Sequence, residues 1–540
     1  MNNCVCCGAP LPDSHKHRIC SMCYGDLDYE TDGYYREYMK EWQRREEWMQ
    51  TMRLTPYKHQ LDGIQALIDN PIFALFDEMG VGKTKQVIDA AQTLAIQGKI
   101  KKVIVIAPAA VRSVWFNEDF GELTKHLWHG TCQKIVEYHS KVRSWTWGEG
   151  ESQLKWIITN YDFIRPVNRL NPLRNTCDSE TLLVFDESSA IKNHKAKQTK
   201  ACLKLRKSCG RVILLNGTPI AHSPNDMFSQ GEMLHSKILN CSNYYQFRSR
   251  YAILGGWHQK QIIGWQNLDD LQRRFAPYVL RRLKTQCLDL PAKLPPVTLE
   301  VPLSSATWKI YKEMRDEMVA WLTEQTVSLA AQAVVKAIRL SQLTTGFLGG
   351  VQEMLDEGDP VTEELSREKL DFFLGWLKER LDEDPSFKVL VWCRFRAELS
   401  RLKKELDNKF PIALYTGTIR GAQKKSDREE ALRLLDPRTT PKLGPVVVLG
   451  SPQAGGMGLN LTAAHNVMYL SNDYSLKTRL QSEDRVHRPG QVHPVSYFDV
   501  IATGPKGQKT IDHIILKSLR TKESIATMTT SAWLKELVKE

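Results

Sequence analysis

The octapeptide Asp77-Glu78-Met79-Gly80-Val81-Gly82-Lys83-Thr84 constrains the fold of this chain more than any other feature. Gly80 and Gly82 let backbone N–H groups approach phosphate oxygens. Lys83 brings a mobile positive charge to the outer phosphates of a nucleotide, and Thr84 brings a hydroxyl to a magnesium ion. Such a loop has to leave a buried strand and enter the N-terminus of a helix. Apolar residues 73–76 precede it and residues 86–96 follow with helical composition, so strand, loop and helix are all present in order. Asp77 stands where a glycine is usual, and the two glycines that remain still permit the turn.

The unit then repeats. Residues 103–106, 156–158, 182–185 and 212–215 are short apolar runs, each followed by a polar or glycine-rich turn, which predicts a parallel sheet covered by helices. One of these runs, Leu182-Leu183-Val184-Phe185, leads straight into Asp186-Glu187. Carboxylates at the end of a buried parallel strand lie on the edge where ligands bind. Asp186 is therefore expected to hold magnesium, directly or through water, and Glu187 to orient and activate an attacking water. Further on, β-branched runs at 389–392 and 446–449 predict a second parallel sheet. After them comes Gln481-Ser482-Glu483-Asp484-Arg485-Val486-His487-Arg488-Pro489-Gly490-Gln491, whose Arg485 and Arg488 are spaced by one helical turn. A grip on one half and cationic groups on the other describe a nucleotide-driven machine with two lobes.

The 74 basic and 62 acidic residues leave a net charge of +12, which favours polyanionic partners such as nucleic acid. Lys192, Lys195, Lys197, Lys200, Lys204, Arg206, Lys207 and Arg211 concentrate part of it in one stretch, which also reads as an exposed helix face. No apolar run approaches the ~18 residues that cross a bilayer. The N-terminus lacks the basic-then-apolar pattern of a secretory signal, so a cytoplasmic location is expected. Five of the 12 cysteines fall in the first 23 residues, where Cys4-x-x-Cys7 and Cys20-x-x-Cys23 form two hooks with the spacing of a tetrahedral structural zinc site. Cys6, His15 and His17 are substitute ligands for the fourth position. Tyr35, Tyr38, Trp42, Met49 and Met52 then recur at helical spacing, which suits packing onto the next domain better than stacking on bases.

Other blocks fall in a fixed order around these. His59-Gln60-Leu61-Asp62-Gly63 precedes the phosphate loop, and the acidic pair opens Asp186-Glu187-Ser188-Ser189-Ala190-Ile191-Lys192-Asn193. Gly217-Thr218-Pro219-Ile220, Arg250-Tyr251, Asn267-Leu268, Leu280-Arg281-Arg282 and Asp289-Leu290-Pro291-Ala292-Lys293 follow. Ile338-Arg339-Leu340-Ser341-Gln342-Leu343-Thr344, Gln453-Ala454-Gly455-Gly456-Met457-Gly458-Leu459-Asn460-Leu461 and the arginine block complete the series. From Leu54 to about Leu516 the chain resembles the superfamily-two helicase-like ATPases, specifically the Swi/Snf branch of DNA-dependent translocases. Ser471-Asn472 and Tyr474-Ser475-Leu476 look more like its bacterial and phage members.

The resemblance implies an α/β fold of two RecA-like parallel-sheet lobes with helical insertions, preceded by the small zinc module. It implies that Gln60 contacts adenine and that Gly80, Gly82, Lys83, Thr84 and Gly456 belong to the nucleotide site. Gly455-Gly456 would also pass close to the DNA backbone and the lobe interface. Arg485 and Arg488 would close over the γ-phosphate. The expected map is a zinc module at 1–25, a helical connector at 26–52, a first lobe at 53–225 and its helical insertion at 226–295. A helical entry at 296–365, a second lobe at 366–510 and a helical tail at 511–540 complete it. ATP, magnesium and structural zinc are the expected cofactors, and the expected partner is duplex DNA, bound through its backbone phosphates without sequence specificity. The activity implied is ATP-driven movement along duplex DNA by alternating lobe closure. Strand separation on DNA or RNA is the alternative, and a non-hydrolysing binding scaffold the third reading. Ser189 stands where the family usually has histidine, so the link between hydrolysis and the other lobe would be made differently.

Overall fold

The computed structural model describes residues 54–526 with interruptions, the longest at 143–153, 350–361 and 420–432, together with Asn2, Asn3, Pro10 and Leu11. Cys4, Cys6, Cys7, His15, His17, Cys20 and Cys23 lie outside the described residues. So do the aromatic stripe at 35–52, residues 218–220 and the glycine block at 454–460 with Gly456.

The first lobe is built on Ile72–Leu75 (β1), Lys102–Ala107 (β2), Gln133–Glu137 (β3), Leu154–Asn160 (β4), Thr181–Phe185 (β5), Arg211–Leu215 (β6) and Val279–Leu280 (β7). These make one seven-stranded sheet in the order β7-β1-β6-β5-β2-β4-β3, with every neighbouring pair parallel. Successive strand residues point to opposite faces, and both faces are covered. Val103 and Val105 pack with Val87 and Leu94 on one side, while Ile104 and Ile106 pack with Tyr161 and Phe185 on the other. Covering both faces is why these strands are continuous apolar runs without polar alternation. Lys58–Asp69 (α1) and Lys83–Ile96 (α2) flank β1 in sequence.

The second lobe carries Val297–Pro302 (β8), Lys388–Trp392 (β9), Tyr415–Ile419 (β10), Val446–Gly450 (β11), Asn466–Tyr469 (β12) and Ser496–Thr503 (β13). They form a six-stranded parallel sheet in the order β8-β13-β12-β9-β11-β10. Val389 and Val391 face one core and Leu390 and Trp392 the other, so this sheet is buried on both sides as well. Leu476–Glu483 (α3) follows β12.

Two segments differ from the helical insertions expected of them. Within 226–295 the chain forms helices and a hairpin, then returns to the first sheet, where β7 pairs along β1 through Val279↔Ala74 and Leu280↔Leu75. Within 296–365 the first element is β8, an edge strand of the second sheet paired along β13 from Val297↔Phe498 to Pro302↔Thr503. Both strands were hidden from periodicity. The first is too short to show a pattern, and the second is an edge strand with several exposed positions.

Candidate active site

The phosphate loop leaves β1 at its carboxyl end, and the backbone explains its glycines. Gly80 and Gly82 sit at φ of +79° and +87°, in the left-handed region that side chains with a Cβ resist. Space is short as well: a Cβ on Gly82 would collide with the Gln60 amide, and one on Gly80 would lie 2.6 Å from Asp484 Oδ1. Gly82 ends the loop as the N-cap of α2 and, having no side chain, supplies no cap to its first-turn N–H groups. Lys83 Nζ donates to the Asp77 and Glu78 carbonyls at 2.7 and 3.0 Å. Burial pulls the Lys83 ammonium below its ordinary pKa, against the opposing charges of Glu187, Asp77, Asp484 and Asp186. Gln60 is held beside the loop, its Nε2 donating to Val81 O at 3.3 Å and its Oε1 accepting from Tyr57 N at 3.0 Å.

Asp77, the departure from the usual glycine, is fully buried. Its carboxylate takes a two-pronged bond from Arg282, with Nε 3.0 Å from Oδ1 and Nη2 on Oδ2, and Gln86 Nε2 donates to Oδ2 at 3.3 Å. Arg281 beside it donates to the carbonyls of Phe76 and Gly217 at 2.9 and 3.2 Å. The Leu280-Arg281-Arg282 block is therefore the brace of the phosphate loop, delivered by β7 from about 200 residues downstream.

The acidic pair sits at the end of β5, two strands from the phosphate loop. Asp186 Oδ2 accepts from Trp115 Nε1 at 2.8 Å, and Tyr161 OH donates to the Asp186 carbonyl at 2.7 Å. Burial, then the neighbouring charge of Glu187, pushes the Asp186 carboxyl up to about 6. Glu187 has a backbone φ of 52°, a conformation rarely taken by a residue with a long side chain. Burial raises its pKa, but the ammonium of Lys477 and then that of Lys83 bring it below the ordinary glutamate range.

Lys477 belongs to the second lobe. It lies on α3 with Gln481 one turn further on, and both reach Glu187: Lys477 Nζ is 2.8 Å from Oε2, and Gln481 Nε2 donates to Oε1 at 3.2 Å. Lys477 Nζ also donates to Ser189 Oγ at 3.0 Å. A second set of contacts runs through the connecting segment. Lys284 donates its backbone N–H to Glu78 Oε2 at 2.8 Å and its ammonium to Asp484 Oδ1 and to His487 O. Lys293 pairs with Glu483 at 2.7 Å, and the Ala292 carbonyl accepts from Val495 N at 3.0 Å. Residues 280–282 thus belong to the first lobe and 292–294 run along the second, with Lys284 touching both.

The arginines of the last block are placed differently from the helical spacing expected. The helix ends at Glu483, and Arg485 and Arg488 lie in the turn and bend after it, ahead of Pro489 and of Gly490 at φ +101°. Both lie close enough to Asp484 that, against the effect of burial, they help Lys284 hold its carboxyl below the ordinary range. Of the basic stretch, Arg206 and Arg211 are structural. Arg206 donates to the Met233 and Leu234 carbonyls and Arg211 to those of Leu67, Ile68 and Asn70. Lys195, Lys197, Lys200, Lys204 and Lys207 are exposed. Lys477, Lys284 and Trp115 are site residues that motif reading did not single out, and Arg282 was read only as part of the Leu280-Arg281-Arg282 block, without its role at Asp77. For Lys477 the signal was its place four residues before Gln481 on a short helix.

A model of the SNF2-related domain matches residues 47–346, and a model of the helicase conserved C-terminal domain matches residues 369–490. The rice (Oryza sativa subsp. japonica) SNF2 domain-containing protein ENL1 is 25% identical over 515 residues, covering 84% of this chain and 50% of its own. The probable ATP-dependent DNA helicase CHR12 of Arabidopsis thaliana is 26% identical, covering 86% of this chain and 41% of its own. The chain therefore spans half or less of the length of these relatives. Among solved structures, the Sulfolobus solfataricus SWI2/SNF2 ATPase core in complex with dsDNA has a TM-score of 0.39 at 20% identity, covering 91% of this chain and 96% of that one. With a family model spanning more than half its length, the chain belongs to the SNF2 family of helicase-like ATPases of superfamily two.

Proposed function

We propose that this chain is an ATP-driven translocase on duplex DNA. The observation that carries the reading is that the second lobe reaches the machinery of the first at two points. Lys477 and Gln481 meet Glu187, and Asp484 meets Lys284 beside Gly80. Opening or closing of the lobes would therefore change the surroundings of the acidic pair and the phosphate loop together.

In this reading Gln60 contacts the adenine. The N–H groups opening α2 and the Lys83 ammonium hold the phosphates, for which Lys83 would leave the Asp77 and Glu78 carbonyls. Thr84 and Asp186 suit magnesium: both offer hard oxygen donors, and the crowding of Asp186 by Glu187 is relieved by a divalent cation. When bound, that ion would neutralise charge on the phosphates. Glu187 orients and deprotonates the attacking water, and Arg485 and Arg488 stabilise charge developing on the transferred phosphoryl group. Gly456, outside the described residues, is proposed as part of the nucleotide site from its motif alone. The exposed Lys195, Lys197, Lys200, Lys204 and Lys207 offer sequence-independent contacts to a phosphate backbone.

The test measures ATP hydrolysis with linear duplex DNA, single-stranded DNA and RNA, alongside unwinding of a tailed duplex. Duplex DNA is expected to stimulate most strongly, with stimulation falling as salt rises and no strand separation. Stimulation by RNA alone would overturn the proposal, and unwinding would move the chain to the helicase reading. Cys4, Cys7, Cys20 and Cys23 are further proposed to hold structural zinc on the strength of their spacing. Purified protein is expected to carry stoichiometric zinc by metal analysis and to lose it on Cys4→Ser with Cys7→Ser. Protein free of zinc, or a double variant that keeps it, refutes that assignment.

A further inference from the structure

We propose that Lys477 is a positioning residue through which the second lobe sets the Glu187 carboxylate, with Ser189 as the seat that holds the lysine in place. This rests on the assignment of Glu187 as the water-activating group.

The helix carrying Lys477 has two faces with different tasks. One is locked into the second lobe. Arg479 donates to Glu483 Oε1 at 2.6 Å and to Asn472 Oδ1 at 2.9 Å, forks onto Asp499, and lies 3.5 Å over the Tyr469 ring. Glu483 is held in turn by Lys293, and Ser475 caps the helix by accepting from Thr478 N at 3.2 Å. Buried, charge-assisted bonds of this kind leave the helix little freedom to move apart from its lobe. The opposite face presents Lys477 and Gln481, and both end on the same glutamate of the other lobe. Two residues at i and i+4 can converge on one group only when the helix approaches it side-on, so the pair reports the relative placement of the lobes.

Glu187 needs such outside support. Its own backbone is at φ 52°, so local geometry does not favour its position, and its carboxylate is met across the cleft at both oxygens, by the Lys477 ion pair at Oε2 and the Gln481 hydrogen bond at Oε1. Lys477 has a second acceptor in Ser189 Oγ, two residues beyond Glu187 and itself buried. A flexible ammonium with three donors is fixed in direction when two acceptors of one short segment share it. Ser189, the residue that departs from the family's usual histidine, is thus part of the cross-lobe link.

The experiment is steady-state ATP hydrolysis with magnesium and linear duplex DNA for Lys477→Ala, Lys477→Arg, Ser189→Ala and the Lys477→Ala/Ser189→Ala pair, with Tm measured for each. Lys477→Ala is expected to lower kcat about ten- to a hundred-fold with KM for ATP nearly unchanged, because what is lost is the aim of a catalytic group and not a phosphate contact. Lys477→Arg should recover much of the rate, since a guanidinium can span the same two acceptors. Ser189→Ala should cost less, and nothing further when Lys477 is already alanine. Parental kcat in Lys477→Ala, an arginine variant no better than the alanine one, or strict additivity of the pair each overturns the proposal. So does a Tm loss accompanied by equal damage to KM, which is what a purely structural lysine would give. A Glu187→Gln protein run in parallel separates the two levels. If it hydrolyses ATP normally, the role given to Glu187 fails. If it is inactive while Lys477→Ala is normal, only the present inference fails.

Discussion

Glu187→Gln is expected to reduce ATP turnover by about 10²- to 10⁴-fold, the range that loss of a general base commonly costs. Glutamine keeps the length of the side chain and can still accept a hydrogen bond from Gln481, so the site loses a proton acceptor more than a shape. Nucleotide binding should survive, because the glycines, Lys83 and Gln60 are untouched and none of them is bonded to the Glu187 side chain. Titration with a fluorescent ATP analogue, set beside single-turnover hydrolysis, separates the two effects. Turnover that falls only in step with binding would show that Glu187 holds nucleotide and does not activate water.

Arg282→Ala should be the most destructive substitution away from the reacting atoms. Arg282 is the forked partner of the fully buried Asp77, and it also donates to Gln86 Oε1 at 2.8 Å and to the His59 carbonyl. Removing it strands a carboxylate in the interior directly before the phosphate loop, at a cost of about 3–5 kcal/mol. A lower Tm by calorimetry and weakened ATP binding are the expected readouts. Lysine should rescue poorly, having no planar fork to match both carboxylate oxygens. Asp77→Asn combined with Arg282→Met should be milder than Arg282→Ala, since no uncompensated charge then remains buried. An Arg282→Ala protein with unaltered Tm would show that the brace contributes nothing.

The doubly buried strands of the first sheet, and β9 and β11 of the second, were legible as apolar runs, whereas β12 and β13 were not singled out; the phosphate loop and acidic pair were legible because their chemistry demands a fixed local order. What escaped shares a physical cause. The Arg282 brace, the Lys284 bridge and the Lys477 contact join residues about 200 or 290 positions apart, and neither periodicity nor local spacing records such a pairing. Asp77 was legible as a departure from the usual glycine but not as a buried anion with a dedicated arginine. The arginine block was read one step too regularly: its spacing fits a helical turn, yet the helix has already ended at Glu483.

The return of Val279–Leu280 to the edge of the first sheet bears on how the protein is made. A nascent chain that has completed β6 has all the residues of the phosphate loop and the acidic pair, yet still lacks the arginine that neutralises Asp77 and the strand that covers β1. Until about seventy more residues leave the ribosome, Asp77 has no Arg282 to pair with and one side of β1 is a free edge, an invitation to mispairing. The lobe thus becomes a finished folding unit only at Arg282, and a fragment cut between β6 and that point carries the motifs of a nucleotide site without the means to hold them in shape.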